Sequence, residues 1–378
     1  MKRVALNALL LTPRLGGVGV YIRHLMQGMF AAKKDWKPLV FLAKKAVHPD
    51  SDLLNKDAIK RVNIYSLQPQ IRILSEYFLW PRILKKHKID LLHSPISYIP
   101  PGVTSPAIVT VHDLRYFHYP ETYTRLRGKF LEKMIPKSAH SAARILTVSN
   151  ATKKDIVKYL NVSADKIQVI YEGIDAARFQ MRYSAENYQS IKMKHRLPDR
   201  YLLSVGHLEP RKNYERLFES LAILSDRLNL KTHLVIVGQE NWYFQKIYDK
   251  VKSLKLSDYI HFTGFVDDAD LPALYQKADL FIAPSLFEGF GFTPLEAMAA
   301  GIPVAASNTS SHPEILGDAA AYFNPYDPED MAQTIKKILT DNDLRMAFVR
   351  DGHEQVKKFT WNSCCEQTFQ EYENVLAK

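Results

Sequence analysis

Thirteen short apolar runs, most of them rich in β-branched residues, recur along the chain with helical patterns between them. Seven precede residue 195: RVALNALLL, KPLVFLA, RVNIYSL, DLLHS, AIVTVHD, RILTVS and IQVIYEG. Six follow it: YLLSVG, THLVIVG, YIHFTG, ADLFIAPS, IPVAAS and AAYFNP. Continuous apolar strands separated by helices specify parallel sheets buried on both faces. Two such series specify an α/β chain of two doubly wound domains, and 378 residues exceed what one hydrophobic core usually supports. The polar stretch FQMRYSAENYQSIKMKHRLPDR, residues 179–200, is the expected junction. It gives an N-terminal domain over residues 1–190 and a C-terminal domain over 191–355. The tail FTWNSCCEQTFQEYENVL reads as a closing helix within 356–378, expected to pack back on the N-terminal domain.

Composition narrows function mainly by exclusion. No apolar run reaches the roughly 18 residues of a membrane-spanning helix. The opening MKRVALNALLLTPRLGG mimics a signal peptide, but its apolar run is short and ends in Pro13 and Arg14 without a small-residue cleavage site. A first buried strand is the better reading. Cys364 and Cys365 are adjacent and match no metal or redox spacing, which points to a reducing, cytoplasmic compartment. Charge divides unevenly: residues 1–190 hold 30 Lys and Arg against 14 Asp and Glu, and the remainder holds 21 against 26. A basic half beside a mildly acidic one implies an anionic partner, whether nucleic acid, anionic lipid or a phosphorylated small molecule.

In open parallel sheets, ligands bind beyond the carboxyl ends of the strands, so the residues just after each run are the candidates. LFEGFGFTPLEAMAAG, residues 286–301, follows the strand ADLFIAPS and carries Glu288 on that rim. Gly289 and Gly291 permit close backbone approach to a ligand. Thr293, Pro294 and Glu296 fit a T-x-x-E capping box for the next helix, so Glu296 reads equally well as a cap or a ligand contact. A carboxylate, a Gly-x-Gly turn and a helix start together suit a sugar linked to phosphate. YLLSVGHLEPRKNYERLF repeats the logic, with Arg211 and Lys212 just before Asn213, a plausible cap. TPRLGGVGVYIRHL places Gly16, Gly17 and Gly19 after the first strand, but matches neither a dinucleotide fingerprint nor a P-loop. His112 and Asp113 close AIVTVHD on the rim, and Ser149 reads as a helix cap. Asp268 and Asp270 resemble a cation-binding pair, yet Asp270 is explained as the cap of a helix with Pro272 near its start. No cofactor or metal is expected. The segment QIRILSEYFLWPRILKKHKID, residues 70–90, mixes aromatics including Trp80 with five Lys and Arg. With RLRGKFLEKMIPKSAHSAAR it offers a face for an anionic membrane surface; the alternative is an ordinary amphipathic core helix.

Almost the whole chain resembles a retaining glycosyltransferase of family 4, with GT-B architecture. The resemblance rests on Glu288–Glu296 spaced as E-x7-E within GFGFTPLEAMAAGIPV, on VGHLEPRKN, LGGVGVY and VTVHDL, and on GFVDDADLPALYQKADLF and the closing FTW. It implies two Rossmann-like domains facing a cleft, with a nucleotide-sugar donor held by the C-terminal domain and an acceptor by the N-terminal one. Glu288 would contact the donor sugar's hydroxyls and Glu296 the ribose. The amides of Phe290, Gly291 and Phe292 would lie near the sugar and diphosphate. Arg211 and Lys212 would neutralise the diphosphate, Gly17 would approach it, Val266 would touch the base, and His112 would lie against the transferred sugar. The family often has arginine after the glycine of its VGR element. This chain has His207 there, with Arg211 to compensate.

The variants HDLRYFHYPE and LEPRKN lean towards a mannosyltransferase building a lipid-linked cell-surface polysaccharide, an O-antigen of lipopolysaccharide, at the cytoplasmic membrane face. A UDP-sugar donor is the nearest rival, and donor hydrolysis or epimerisation on the same scaffold a further one. A basic nucleic-acid-binding α/β protein would explain the charge but leaves Glu288 and the Gly-Phe-Gly turn without a role.

Overall fold

The structure, a computed structural model, describes residues 1–11, 16–43, 58–62, 69–240 and 244–378, with side chains of 69–75 excepted. Residues 12–15 of the glycine-rich turn and the end of the RVNIYSL run lie outside the described residues.

Among the described residues, thirteen strands form two parallel sheets. In the first series they are β1 Lys2–Asn7, β2 Trp36–Ala43, β3 Ile59–Val62, β4 Leu91–Ser94, β5 Ala107–Val111, β6 Arg144–Thr147 and β7 Ile167–Val169. In the second they are β8 Tyr201–Val205, β9 His233–Val237, β10 Ile260–Gly264, β11 Leu280–Ala283, β12 Val304–Ser307 and β13 Ala321–Phe323. The sheet orders are β3-β2-β1-β4-β5-β6-β7 and β10-β9-β8-β11-β12-β13. Each sheet reverses its winding once, between β1 and β4 and between β8 and β11. Those switch points are where an α/β sheet opens a crevice for a ligand.

The chain divides into an N-terminal unit, residues 1–173 with 360–378, and a C-terminal unit, residues 174–359. The division thus falls upstream of residue 190. The polar stretch expected to hold the boundary instead carries helix Ala185–His195 and the last residue of helix Ala176–Phe179, both on the C-terminal unit. Phe179 is buried against Tyr275 at 5.4 Å between ring centroids. Gln276 Nε2 donates to the Phe179 and Met181 carbonyls at 2.6 and 2.7 Å, and the Asp270 carboxylate pairs with Lys194 and His195. Its polarity marks a solvated helix face.

Packing follows the periodicity. In the C-terminal unit, strand residues Leu202, Leu234, Ile236, Leu280 and Ile282 meet Leu217, Phe218, Leu221 and Leu224 of helix Tyr214–Asp226. Helix Pro328–Thr340 adds Met331, Ile335 and Ile338 at helical spacing. Burying each such side chain contributes about 1.5–3 kcal/mol. In the N-terminal unit, helix Trp361–Leu376 is capped by Thr360, whose hydroxyl accepts from Ser363 N at 3.2 Å. Cys365, Phe369 and Tyr372 face inward, the last two edge-on to Trp36 at 5.4 and 5.6 Å. A Cβ on Gly28 would lie 2.6 Å from Cys365 Sγ, so this close approach requires glycine. Both cysteines are free and buried.

Candidate active site

β8 and β11 are parallel neighbours in register (Leu202 opposite Leu280), so the loops that leave them emerge side by side. One backbone bond and two side-chain-to-backbone bonds stitch them together. Leu286 N donates to Arg211 O at 2.8 Å, Arg211 Nη1 to Phe287 O at 2.9 Å, and Asn213 Nδ2 to Pro284 O at 3.1 Å. The segment after β12 joins them: Ser310 Oγ accepts from Glu288 N at 3.1 Å and donates to Glu288 O at 2.6 Å, and Ser311 Oγ donates to Phe290 O.

This scaffold brings Arg211, Lys212 and Glu288 into one cluster. Lys212 Nζ lies 2.7 Å from Glu288 Oε1 and Arg211 Nη1 2.8 Å from Glu288 Oε2. Arg211 Nε is 2.7 Å from Glu209 Oε1, a buried carboxylate that the sequence did not single out. All three side chains of the triad are mostly buried. Burial alone would raise the Glu288 pKa, but Arg211 first and then Lys212 outweigh it and hold the carboxyl well below its ordinary range. Burial also pulls Lys212 down, against the attraction of Glu288. Gly206 has a specific part here: a Cβ would come within 2.8 Å of Lys212 Cε and 3.0 Å of Nζ. The ammonium passes close over this backbone, and a side chain here would displace it from Glu288. His207, at the position of the family arginine, is exposed, while Arg211 is seated in the cluster.

Glu296 sits apart from that cluster. Helix Phe292–Ala299 begins at Gly291, in the left-handed region at φ +99°, and has no side-chain cap. The expected Thr293–Glu296 capping box is therefore not formed, because the helix starts one residue before Thr293. Glu296 Oε2 instead accepts from the buried Tyr275 hydroxyl at 2.7 Å, and burial raises the Glu296 pKa despite that bond. Phe290 is buried against Phe292 and Phe359, at 5.3 and 5.6 Å. Val266 is buried beyond β10, whereas its neighbour Phe265 is exposed.

Two other expected caps differ in chemistry. Asp270 occupies the N-cap position of helix Leu271–Lys277 but makes no side-chain cap bond; its carboxylate takes Lys194 and His195 at 2.7 and 2.9 Å. Asn213 precedes helix Tyr214–Asp226 at φ +58° without capping it, its Nδ2 spent on the Pro284 and Pro325 carbonyls. Ser149 does cap helix Asn150–Leu160, accepting from Thr152 N at 3.1 Å. Asp268 pairs with Arg178, and no cluster with metal-ligand character occurs among the described residues.

On the N-terminal unit, Gly17 is exposed as the first residue of helix Gly17–Ala31, after Gly16. His112 directly follows β5 with both ring nitrogens facing acceptors: Nε2 lies 3.0 Å from Pro95 O and Nδ1 3.2 Å from Glu172 Oε1. Burial disfavours its cation, but Glu172 and the Pro95 carbonyl prevail and raise its pKa. Glu172, in the segment after β7, is a partner that proximity in sequence could not reveal. Trp80, expected on the basic aromatic face, is fully buried against Phe41 at 5.6 Å. Tyr77 and Phe78 are the exposed aromatics of helix Pro69–His87, and Leu126 is exposed on helix Arg125–Ser141.

Known proteins align with both units. A family model described as Glycosyltransferase Family 4 matches residues 15–178, and one described as Glycosyl transferases group 1 matches 187–355. The chain is 30% identical over 367 residues to O-antigen chain mannosyltransferase B of Escherichia coli, covering 95% of this chain and 96% of that one. It is 32% identical over 273 residues to O-antigen chain mannosyltransferase RfbU of Salmonella typhimurium, covering 72% and 71%. Among solved structures, WaaG, a glycosyltransferase involved in lipopolysaccharide biosynthesis, superposes with a TM-score of 0.75 at 20% identity over 97% of this chain and 98% of that one.

Proposed function

The chain belongs to glycosyltransferase family 4, with the two α/β units of a GT-B enzyme, and from that premise we propose that it moves mannose from GDP-mannose to a hydroxyl of a lipid-linked saccharide. It is a hexosyltransferase of polysaccharide biosynthesis. The observation that carries the donor reading is the buried Arg211–Lys212–Glu288 cluster at the switch point of the C-terminal sheet. Mannose is supported by the two relatives, both mannosyltransferases and one of them matched over nearly its full length.

In this reading Glu288 exchanges its cations for the sugar hydroxyls, and Arg211 and Lys212 then face the diphosphate. Fixed cations and helix-start amides aimed at the leaving group stabilise its developing charge. The amides of Phe290, Gly291 and Phe292 join them, Glu296 takes the ribose, and Val266 lies near the base. Arg211 supplies the charge that His207 does not. Gly17 and His112 retain on the N-terminal unit the roles that the family resemblance gives them. No carboxylate is assigned as a covalent nucleophile, so the acceptor attacks on the face the diphosphate leaves, with retention, rather than by double displacement.

The enzyme works at the cytoplasmic membrane face through the exposed Tyr77 and Phe78, together with Arg82, Lys85 and Lys86 on the same helix. No helix among the described residues is long and apolar enough to cross a membrane. A melting-temperature panel tests the donor class. GDP-mannose is expected to raise the transition more than UDP-sugars do, and duplex DNA to leave it unmoved. A salt-sensitive rise with DNA alone would overturn the reading. Sedimentation with anionic but not zwitterionic vesicles tests the membrane face.

A further inference from the structure

His312, in the segment after β12, is 1 % exposed and belongs to none of the roles above. Its Nδ1 lies 2.8 Å from Ser307 Oγ. Ser307 has one hydroxyl hydrogen, and donates it to Ser285 O at 2.6 Å. Towards the imidazole, Ser307 is therefore an acceptor, which puts the ring proton on Nδ1 and leaves the lone pair on Nε2. Burial, with Lys212 and Arg211 nearby, pushes the pKa to about 4 against the pull of Glu288 and Ser307, so the ring is neutral at physiological pH.

No polar partner for Nε2 occurs among the described residues. The ring lies against Gly291, where an added Cβ would stand 3.3 Å from Cδ2 and 3.6 Å from Nε2. The turn that carries Glu288 is thus kept bare where this acceptor points. A buried neutral acceptor beside an ionised carboxylate suits a ligand that brings hydroxyl donors. We propose that His312 is a specificity-determining residue whose Nε2 accepts a hydrogen bond from one hydroxyl of the donor sugar. This rests on the donor-site reading of the C-terminal unit.

The test pairs two substitutions with GDP-mannose and its deoxy analogues, one for each sugar hydroxyl. In His312→Asn the amide can keep the Ser307 bond while the Nε2 acceptor is lost; in His312→Gln the side-chain oxygen can reach the Nε2 position. His312→Asn is expected to lower kcat/KM for GDP-mannose about tenfold, the cost of one unpaired hydroxyl. It should also become indifferent to removal of a single hydroxyl that costs the wild type the same factor, a non-additive cycle. His312→Gln should retain that hydroxyl's effect, and it carries the test if the Asn protein does not fold. Full sensitivity to every deoxy analogue in His312→Asn, or loss of that sensitivity in neither variant, overturns the proposal. Failure of the wild type to use any nucleotide hexose overturns the donor reading itself, and the proposal with it.

Discussion

Glu288 lies between Arg211 and Lys212, and Glu209 faces Arg211 from the other side, so the four formal charges of the cluster sum to zero. A diphosphate brings further negative charge, and the cations are available to it only as Glu288 turns elsewhere. Glu288→Gln removes that competition together with the contact to the sugar. Sugar transfer is then expected to fall by about 10²–10³, while GDP binds at least as tightly as to the wild type. Near-normal turnover, or a parallel loss of GDP binding, would contradict the assignment. At this scale the sequence was informative where chemistry is local. Glu288, Arg211 and Lys212 follow strand ends, Glu288 beside Gly289 and the other two just before the start of a helix, which made them visible. Tyr275 was not, because it acquires its partner Glu296 only when distant segments meet; Glu209 and His312 pair with Arg211 and Ser307, two and five residues away, in contacts that no motif or spacing rule contains. Glu209 stood within HLEPRK, and a carboxylate in a basic run at a strand end was the one available signal.

Helix Phe292–Ala299 shows the limit of short-range rules. Thr293, Pro294 and Glu296 satisfy a capping-box pattern, yet Gly291 takes the cap position in a left-handed conformation and the helix begins at Phe292. The carboxylate then serves a tertiary bond to Tyr275 that no spacing rule contains. Thr293→Ala is accordingly expected to change unfolding free energy by less than about 0.5 kcal/mol, against the ~1 kcal/mol typical of a lost cap. Urea denaturation checks this, and a loss of a full cap's worth would restore the capping box. The strands were legible because a strand covered on both faces is continuously apolar, and the apolar runs overlap the strands of the described residues, with residues 63–67 of RVNIYSL outside them. The unit boundary was less so. The polar residues 179–200 mark the solvated side of helices that anchor to Tyr275, Gln276 and Asp270, and polarity does not separate a linker from such a face.

For the whole molecule, each unit buries a histidine held neutral. Burial lowers His93 to about 3 and His312 to about 4, both from 6.5. Between those values the unfolded chain binds more protons than the folded one, so stability is full above about pH 6.5 and falls as the pH drops. His112, raised by Glu172, acts in the opposite sense, since its contribution is fully present below 6.5 and lost as the pH rises through its folded value. His87 and His261 are lowered as well, so four histidines against one predict a lower denaturation midpoint at pH 5 than at pH 7.5. An unchanged or higher midpoint would contradict the neutral assignments. The basic N-terminal half, an ambiguous signal in the sequence, is in the proposed function the unit that faces the membrane and bears the acceptor. The central claim remains catalytic, and one measurement addresses it directly: incubation with GDP-mannose and a membrane extract containing lipid-linked saccharides, followed by nuclear magnetic resonance of the product. An α-linked mannose, formed by the wild type and not by Glu288→Gln, is the predicted result; a β-linked product, or release of free mannose without a glycoside, would contradict it.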